Sequence, residues 1–136
     1  MVENRRYGGC LCTDVRYEVS EAPCASFVCH CVSCQKAAGA QSVAWVTLPT
    51  AAFFVTSGEL ATYRSSARVE RSFCAKCGTT VTYRHDSDEG YLDVTTATLD
   101  EPNEFPPTHH VWLKDKVDWE TIDYGLNVLE RSGSSR

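Results

Sequence analysis

No stretch of the 136-residue chain stays apolar for the roughly 20 residues a membrane-spanning helix needs, so a membrane partner is not expected. Positive charge is also in short supply. Thirteen Lys and Arg stand against eighteen Asp and Glu, giving a formal net charge of -5 and a pI near 5.3. Nucleic-acid affinity rests on clustered Lys and Arg that neutralise phosphates, so this balance excludes nucleic acid as the expected partner. The opening stretch MVENRRYGGC has no apolar segment behind its two arginines. A secretory signal is therefore not expected, and the chain reads as cytoplasmic. There is no repeat, no low-complexity tract and no long linker. One domain over residues 1–136 is expected, with 131–136 as a frayed polar tail.

Helix is scarce too. Only Ser33 to Ala38 reads as a turn or two of helix, ended by Gly39. Short β-like stretches fill most of the rest. Asp14 to Val19 alternates, with Val15, Tyr17 and Val19 on one face and Asp14, Arg16 and Glu18 on the other. Ser42 to Leu48 is apolar on both faces and reads as a buried strand. Phe53 to Thr56 runs into the turn signal Ser57-Gly58. Leu60 to Arg64 and Arg68 to Phe73 read as a hairpin across Ser65-Ser66. Thr79 to Arg84 and Tyr91 to Thr98 form a second pair, and Val111 to Lys114 adds a short strand after Pro106-Pro107. Short connections predict antiparallel, meandering sheets in a mainly β fold, and an exposed sheet edge would support a homodimer. A β domain this small has little apolar area to bury, and a structural metal is a common remedy.

What the chain does have is eight cysteines. They fall as Cys10-Leu11-Cys12, a lone Cys24, Cys29-His30-Cys31-Val32-Ser33-Cys34, and Cys74-Ala75-Lys76-Cys77-Gly78. A disulfide framework needs an oxidising compartment, which nothing here indicates. Tight CxC and CxxC spacings instead converge sulfurs on one point, which suits a zinc ion. The CxxCG turn reads as a zinc knuckle whose glycine permits a tight approach, and Cys10 and Cys12 can complete a closed site with Cys74 and Cys77. Cys29, Cys31 and Cys34 are three sulfurs within six residues. Three protein ligands leave zinc a position for a further ligand, and a site rich in thiolate suits a soft one such as a substrate thiol. A one-zinc ribbon pairing Cys31 and Cys34 with Cys74 and Cys77 remains open on spacing alone. Cys24 reads as a small buried thiol.

Three segments together resemble one known family: Gly8-Gly9-Cys10-Leu11-Cys12, Cys29-His30-Cys31-Val32-Ser33-Cys34 and Ser72-Phe73-Cys74-Ala75-Lys76-Cys77-Gly78. They look like the glutathione-dependent formaldehyde-activating enzymes, also called the centromere protein V family. Val55-Thr56-Ser57-Gly58-Glu59-Leu60, His110-Val111-Trp112 and Trp119 extend the likeness over nearly the whole chain. The resemblance implies a β-tent of small antiparallel sheets organised around two zinc ions per chain. It implies a structural zinc on Cys10, Cys12, Cys74 and Cys77, and a catalytic zinc on Cys29, Cys31 and Cys34. It further implies a carbon-sulfur lyase that adds glutathione reversibly to formaldehyde, giving S-hydroxymethylglutathione. The competing expectation is a non-catalytic scaffold whose zinc is purely structural.

Beyond the cysteines, His30, His85 and His110 are each expected in packed or solvated structural roles, with a proton-donor role as the alternative. Gln35 and Lys36 follow the three-cysteine cluster and are candidates to contact a peptide-like substrate. Arg64, Arg68, Arg71 and Arg84 are expected on a solvated hairpin surface, with contact to glutathione carboxylates as the alternative. Trp45, Trp112 and Trp119 are expected in the core.

Overall fold

The structure is a computed structural model that describes residues 5–122 and 127–130. The expected tail at 131–136 lies outside the described residues. Eleven strands and one α-helix lie among the described residues: β1 (Arg6–Gly9), β2 (Arg16–Val19), β3 (Ala25–Cys29), α1 (Val32–Ala38), β4 (Val43–Pro49), β5 (Phe53–Ser57), β6 (Leu60–Ser66), β7 (Val69–Cys74), β8 (Thr80–His85), β9 (Tyr91–Thr95), β10 (His109–Val111) and β11 (Asn127–Val128). They form a three-stranded antiparallel sheet, β1-β2-β5, and an eight-stranded sheet in the order β11-β10-β3-β4-β9-β8-β7-β6.

The large sheet is mixed, which corrects the all-antiparallel expectation. β10 runs parallel to both β3 and β11. The long excursion from β9 to β10 is enough chain to return in the same direction, which a tight hairpin cannot do.

β4 explains how the molecule is layered. Its two neighbours are β3 and β9, so it sits inside the sheet and is covered on both faces. Val43 and Trp45 pack with Phe27, Tyr83 and Val111 against Cys29, Cys31 and Cys34. Val46 and Leu48 point the other way, into a cluster with Val81, Leu92 and Val94 and with Tyr17 and Val19 of β2. The small sheet therefore covers one face of the large sheet, and the three-cysteine cluster lies on the other. The doubly apolar run that marks β4 in the sequence is a direct consequence of these two layers.

Several boundaries shift from expectation. Ser65 and Ser66 belong to β6, where a bulge at Arg64/Ser66 takes up an extra residue, and Ala67-Arg68 makes the turn. The strand expected at Val111 to Lys114 lies earlier, at His109–Val111. Trp112 adopts a left-handed conformation (φ 60°) and leads into a short 3-10 turn, Leu113–Asp115. β9 ends at Thr95, and the rest of the expected strand is the 3-10 turn Thr96–Thr98. β1, β3 and β11 carry too little alternation to be seen in the sequence. The helix appears as expected and is closed by Gly39 in the left-handed region.

Candidate metal centres

Four cysteines meet where two turns face each other. Cys10 follows β1 and opens a turn in which the Thr13 amide donates to the Cys10 carbonyl (3.1 Å). Cys74 ends β7 and opens a second turn, closed by the Gly78 amide donating to the Cys74 carbonyl (3.0 Å). Gly78 has φ 79°, and a Cβ built there would meet nothing within 4 Å. This glycine is therefore needed for its left-handed backbone and not for the close approach expected of it.

The sulfurs of Cys10, Cys12, Cys74 and Cys77 all lie within 4.8 Å of one another. Cys10 and Cys12 Sγ are 3.6 Å apart, and Cys12 and Cys74 Sγ are 3.8 Å apart. Neither is a disulfide, which requires about 2.05 Å. A tetrahedral zinc with bonds of about 2.3 Å sets its sulfurs about 3.8 Å apart, so the cluster fits that ion closely. Backbone amides already point at the sulfurs, as thiolates require. Val15 donates to Cys10 Sγ (3.2 Å), while Lys76 and Cys77 donate to Cys74 Sγ (3.3 and 3.4 Å). Unaided, four such thiols cannot all ionise. Hydrogen bonds from the Thr79 hydroxyl and amide draw Cys77 down to about 5. The Asp14 amide also pulls Cys12 down, but burial and the three neighbouring sulfurs outweigh it and push Cys12 up to about 12. A divalent cation removes that conflict.

The second group is Cys29, Cys31 and Cys34, whose sulfurs also lie within 4.8 Å of one another. Cys29 ends β3, Cys31 is the N-cap of α1, and Cys34 lies in the first turn of that helix. The Cys34 amide donates to Cys31 Sγ (3.3 Å). A sulfur thus fills the capping role that an oxygen usually takes. All three residues are buried. Among the described residues, no fourth His, Cys, Asp or Glu joins them. The hydrogen bond with Cys29 lowers Cys31, yet the Cys34 sulfur and burial prevail and its thiol is raised. The structure does not join Cys31 and Cys34 to Cys74 and Cys77, so the ribbon grouping is not the one it forms.

Two histidines meet at the chain segments that flank the second group. His30 is fully buried, and its Nε2 is 3.0 Å from His110 Nδ1. His30 Nδ1 is 3.9 Å from Glu120 Oε1, too far for a hydrogen bond. Burial lowers the His30 pKa, opposed by Glu120 and reinforced by His110 and Lys116. Gln35 is not aimed at a ligand. Its Nε2 donates to the carbonyls of His30 (2.7 Å) and Asp115 (3.0 Å), tying α1 to the chain after β10. Lys36 is exposed.

A cavity of about 300 Å³ opens beside this group. Phe27, Tyr83 and Val111 line it, and the same three residues pack against Cys29, Cys31 and Cys34. His85, Asp93 and His109 add polar atoms to its wall. The amide of Ser87 donates to His85 Nδ1 (3.0 Å), which places the proton of the neutral ring on Nε2. His85 sits at the end of a strand beside a polar turn, and only the strand order β10-β3-β4-β9-β8 across the sheet places it on the same cavity wall as Phe27 and Val111. In the sequence it is one of three histidines with a proton-donor alternative, and nothing local singles it out.

Three other expectations are corrected. Cys24 is exposed, with its thiol donating to the Thr47 carbonyl at 3.5 Å, because the chain before β3 runs along the surface. Trp45 is fully buried, but Trp119 is 73% exposed and only Trp112 among the other tryptophans packs against the core. Arg64, Arg68 and Arg84 are exposed, whereas Arg71 is buried with its guanidinium against the Cys34 sulfur. Its strand, β7, is paired on both sides and turns Arg71 toward the covered face.

The fold and its two cysteine groups thus define a mainly β protein able to hold metal through thiolates. The chain belongs to the glutathione-dependent formaldehyde-activating enzyme family, whose profile matches residues 5–115 and so spans both groups. No curated protein matches the chain. Among solved structures, it is similar to the crystal structure of a Rhodobacter sphaeroides protein determined as a structural-genomics target. That likeness has a TM-score of 0.59 at 23% identity, covering 69% of this chain and 87% of the other, and it concerns the fold.

Proposed function

We propose that the chain is a zinc-dependent carbon-sulfur lyase that adds glutathione reversibly to formaldehyde. The observation that carries this reading is the asymmetry of the two groups. Four sulfurs at one site match a closed tetrahedron, whereas three buried sulfurs at the other leave one ligand to be supplied from outside. In this reading Cys10, Cys12, Cys74 and Cys77 hold a structural zinc, and Cys29, Cys31 and Cys34 hold a catalytic one. The whole chain then forms one β-tent domain organised around the two ions. A zinc held by three thiolates supplies a soft Lewis acid that favours the thiolate form of a substrate thiol at neutral pH.

The rest of the work falls to the chain itself. The cavity beside the cluster takes the body of the thiol substrate, with Phe27 and Val111 as its apolar wall and the His85 Nε2 proton as a donor. In the reaction the sulfur forms a bond to the aldehyde carbon, the carbonyl π pair moves to oxygen, and the thiol proton ends on that oxygen. Burial of the three cysteines keeps bulk water from competing with the substrate. Exchange NMR of glutathione with ¹³C-formaldehyde tests the reading. The zinc-loaded protein should accelerate exchange over the spontaneous reaction. No acceleration from a protein carrying two zinc ions would favour the scaffold alternative.

A further inference from the structure

Arg71 is 4% exposed. Its Nη1 and Nη2 are each 3.7 Å from Cys34 Sγ, and its Nε donates to Ser65 Oγ at 3.1 Å. Its guanidinium carbon lies 5.0 Å from the centre of the Tyr83 ring, the same ring that lines the cavity. The guanidinium is therefore held at its Nε, at both Nη atoms and on one face. Among the described residues, however, no carboxylate pairs with it. Arginine does not give up its proton in a protein, and a buried unpaired cation is strongly disfavoured. Some anion must sit beside it, and the atom that does so is the Cys34 sulfur.

We infer that Arg71 is the built-in counter-cation of the three-cysteine site, and that it adapts this site to take a further anionic sulfur ligand. The inference rests on the proposed zinc at Cys29, Cys31 and Cys34. Three thiolates and a zinc ion carry one net negative charge. With Arg71 the site is neutral, so an incoming thiolate leaves a single negative charge in a buried setting instead of two. Among the described residues, the four-cysteine site has no buried arginine of this kind. Arg16, whose charge acts on Cys10, is paired with Asp100, and the Lys76 Nζ pairs with Asp14 at the surface. That contrast suits a closed site whose charge is met by backbone amides and solvent. Arg71 also joins the two parts of the candidate active site, because it grips Cys34 with one edge and stacks on the wall of the cavity with its face. Its role is positioning and electrostatic; it is not placed to bond the reacting carbon.

The test compares Arg71→Gln, which keeps a donor but loses the charge, with Arg71→Lys, which keeps the charge but loses the fork. Zinc affinity at the two sites is read by competition with a chromophoric chelator, with the four-cysteine zinc as the internal control for folding. Arg71→Gln should weaken the zinc at the three-cysteine site by roughly 10–100-fold and leave the other zinc in place. Arg71→Lys should stay near wild type. Cobalt-loaded protein is then titrated with 2-mercaptoethanol and, separately, with imidazole, following the sulfur-to-metal charge-transfer band and the d–d bands. The glutamine variant should lose affinity for the thiol and keep it for the neutral imidazole. Equal losses in the lysine and glutamine variants, or equal losses for thiol and imidazole, would overturn the charge role. If Arg71→Gln fails to fold, the lysine variant decides: retained zinc at both sites supports the inference, and loss confined to the three-cysteine site overturns it. A wild-type protein with zinc only at the four-cysteine site would overturn the underlying reading instead.

Discussion

Replacing Cys31 by serine should separate chemistry from folding. Cys31 sits at the N-cap of α1 with φ -63° and ψ 148°, and its sulfur accepts the Cys34 amide. Serine is a preferred N-cap residue and its hydroxyl accepts the same amide, so the helix start should survive. The cost to stability should stay near about 1 kcal/mol, a fall in Tm of roughly 3–6 °C for a chain of this length. One of only three sulfurs is lost, however, so the zinc and the turnover proposed for this site should go with it. Cys74→Ser is the contrasting case. Cys74 is fully buried, its sulfur accepts the Lys76 and Cys77 amides, and it lies 3.8 Å from Cys12 Sγ. A structural zinc site contributes on the order of 10–16 kcal/mol of apparent binding energy in small zinc domains, comparable with the whole stability of a typical fold. Its loss should leave the chain unfolded or badly destabilised. The assay is zinc content per chain, a thermal melt followed by circular dichroism, and glutathione–formaldehyde exchange on the same samples. Cys31→Ser that unfolds, or that keeps two zinc ions and full activity, would refute the division of labour.

Two further perturbations probe the scaffold. Gly58 has φ 77°, and a Cβ there would run into the backbone of Asp14 and Val15 just after the Cys12 turn. Gly58→Ala should therefore cost at least about 2 kcal/mol and loosen the four-cysteine zinc, measured by urea unfolding and chelator competition. An alanine variant of unchanged stability would contradict the packing described. His109 stacks on Phe27 with ring centres 5.5 Å apart, and burial together with nearby His110 lowers its pKa from the ordinary 6.5. The unfolded chain therefore binds the proton more readily, so His109 causes stability to fall as pH drops below about 6.5 and has no such effect above it. His109→Phe should flatten the decline of Tm between pH 6.5 and 5 relative to wild type. An identical decline would sink that assignment.

Local pattern accounts for much that the sequence revealed. β4 was legible because a strand covered on both faces must be apolar at successive positions, and Val43, Trp45, Val46 and Leu48 are. α1 was legible because Gly39 stops it. The short strands β1 and β3 were not, since four or five residues half-covered by neighbours leave no periodicity to count. The parallel pairing of β10 also had no local mark, because strand direction depends on the path of the chain between β9 and β10.

The cysteines divide in the same way. Their spacing by itself determined that sulfurs would converge in clusters, because CxC and CxxC bring thiols within reach of one ion whatever the fold around them. Which cluster meets which is a long-range matter. Cys10 and Cys12 join Cys74 and Cys77 only because the turn after β1 is brought against the turn after β7. Arg71 shows the limit most clearly. In the sequence it is one of several arginines in a hairpin, and its charge predicts a solvated surface. Only the tertiary structure turned it inward, because β7 is flanked by β6 and β8 and its covered face looks onto Cys34.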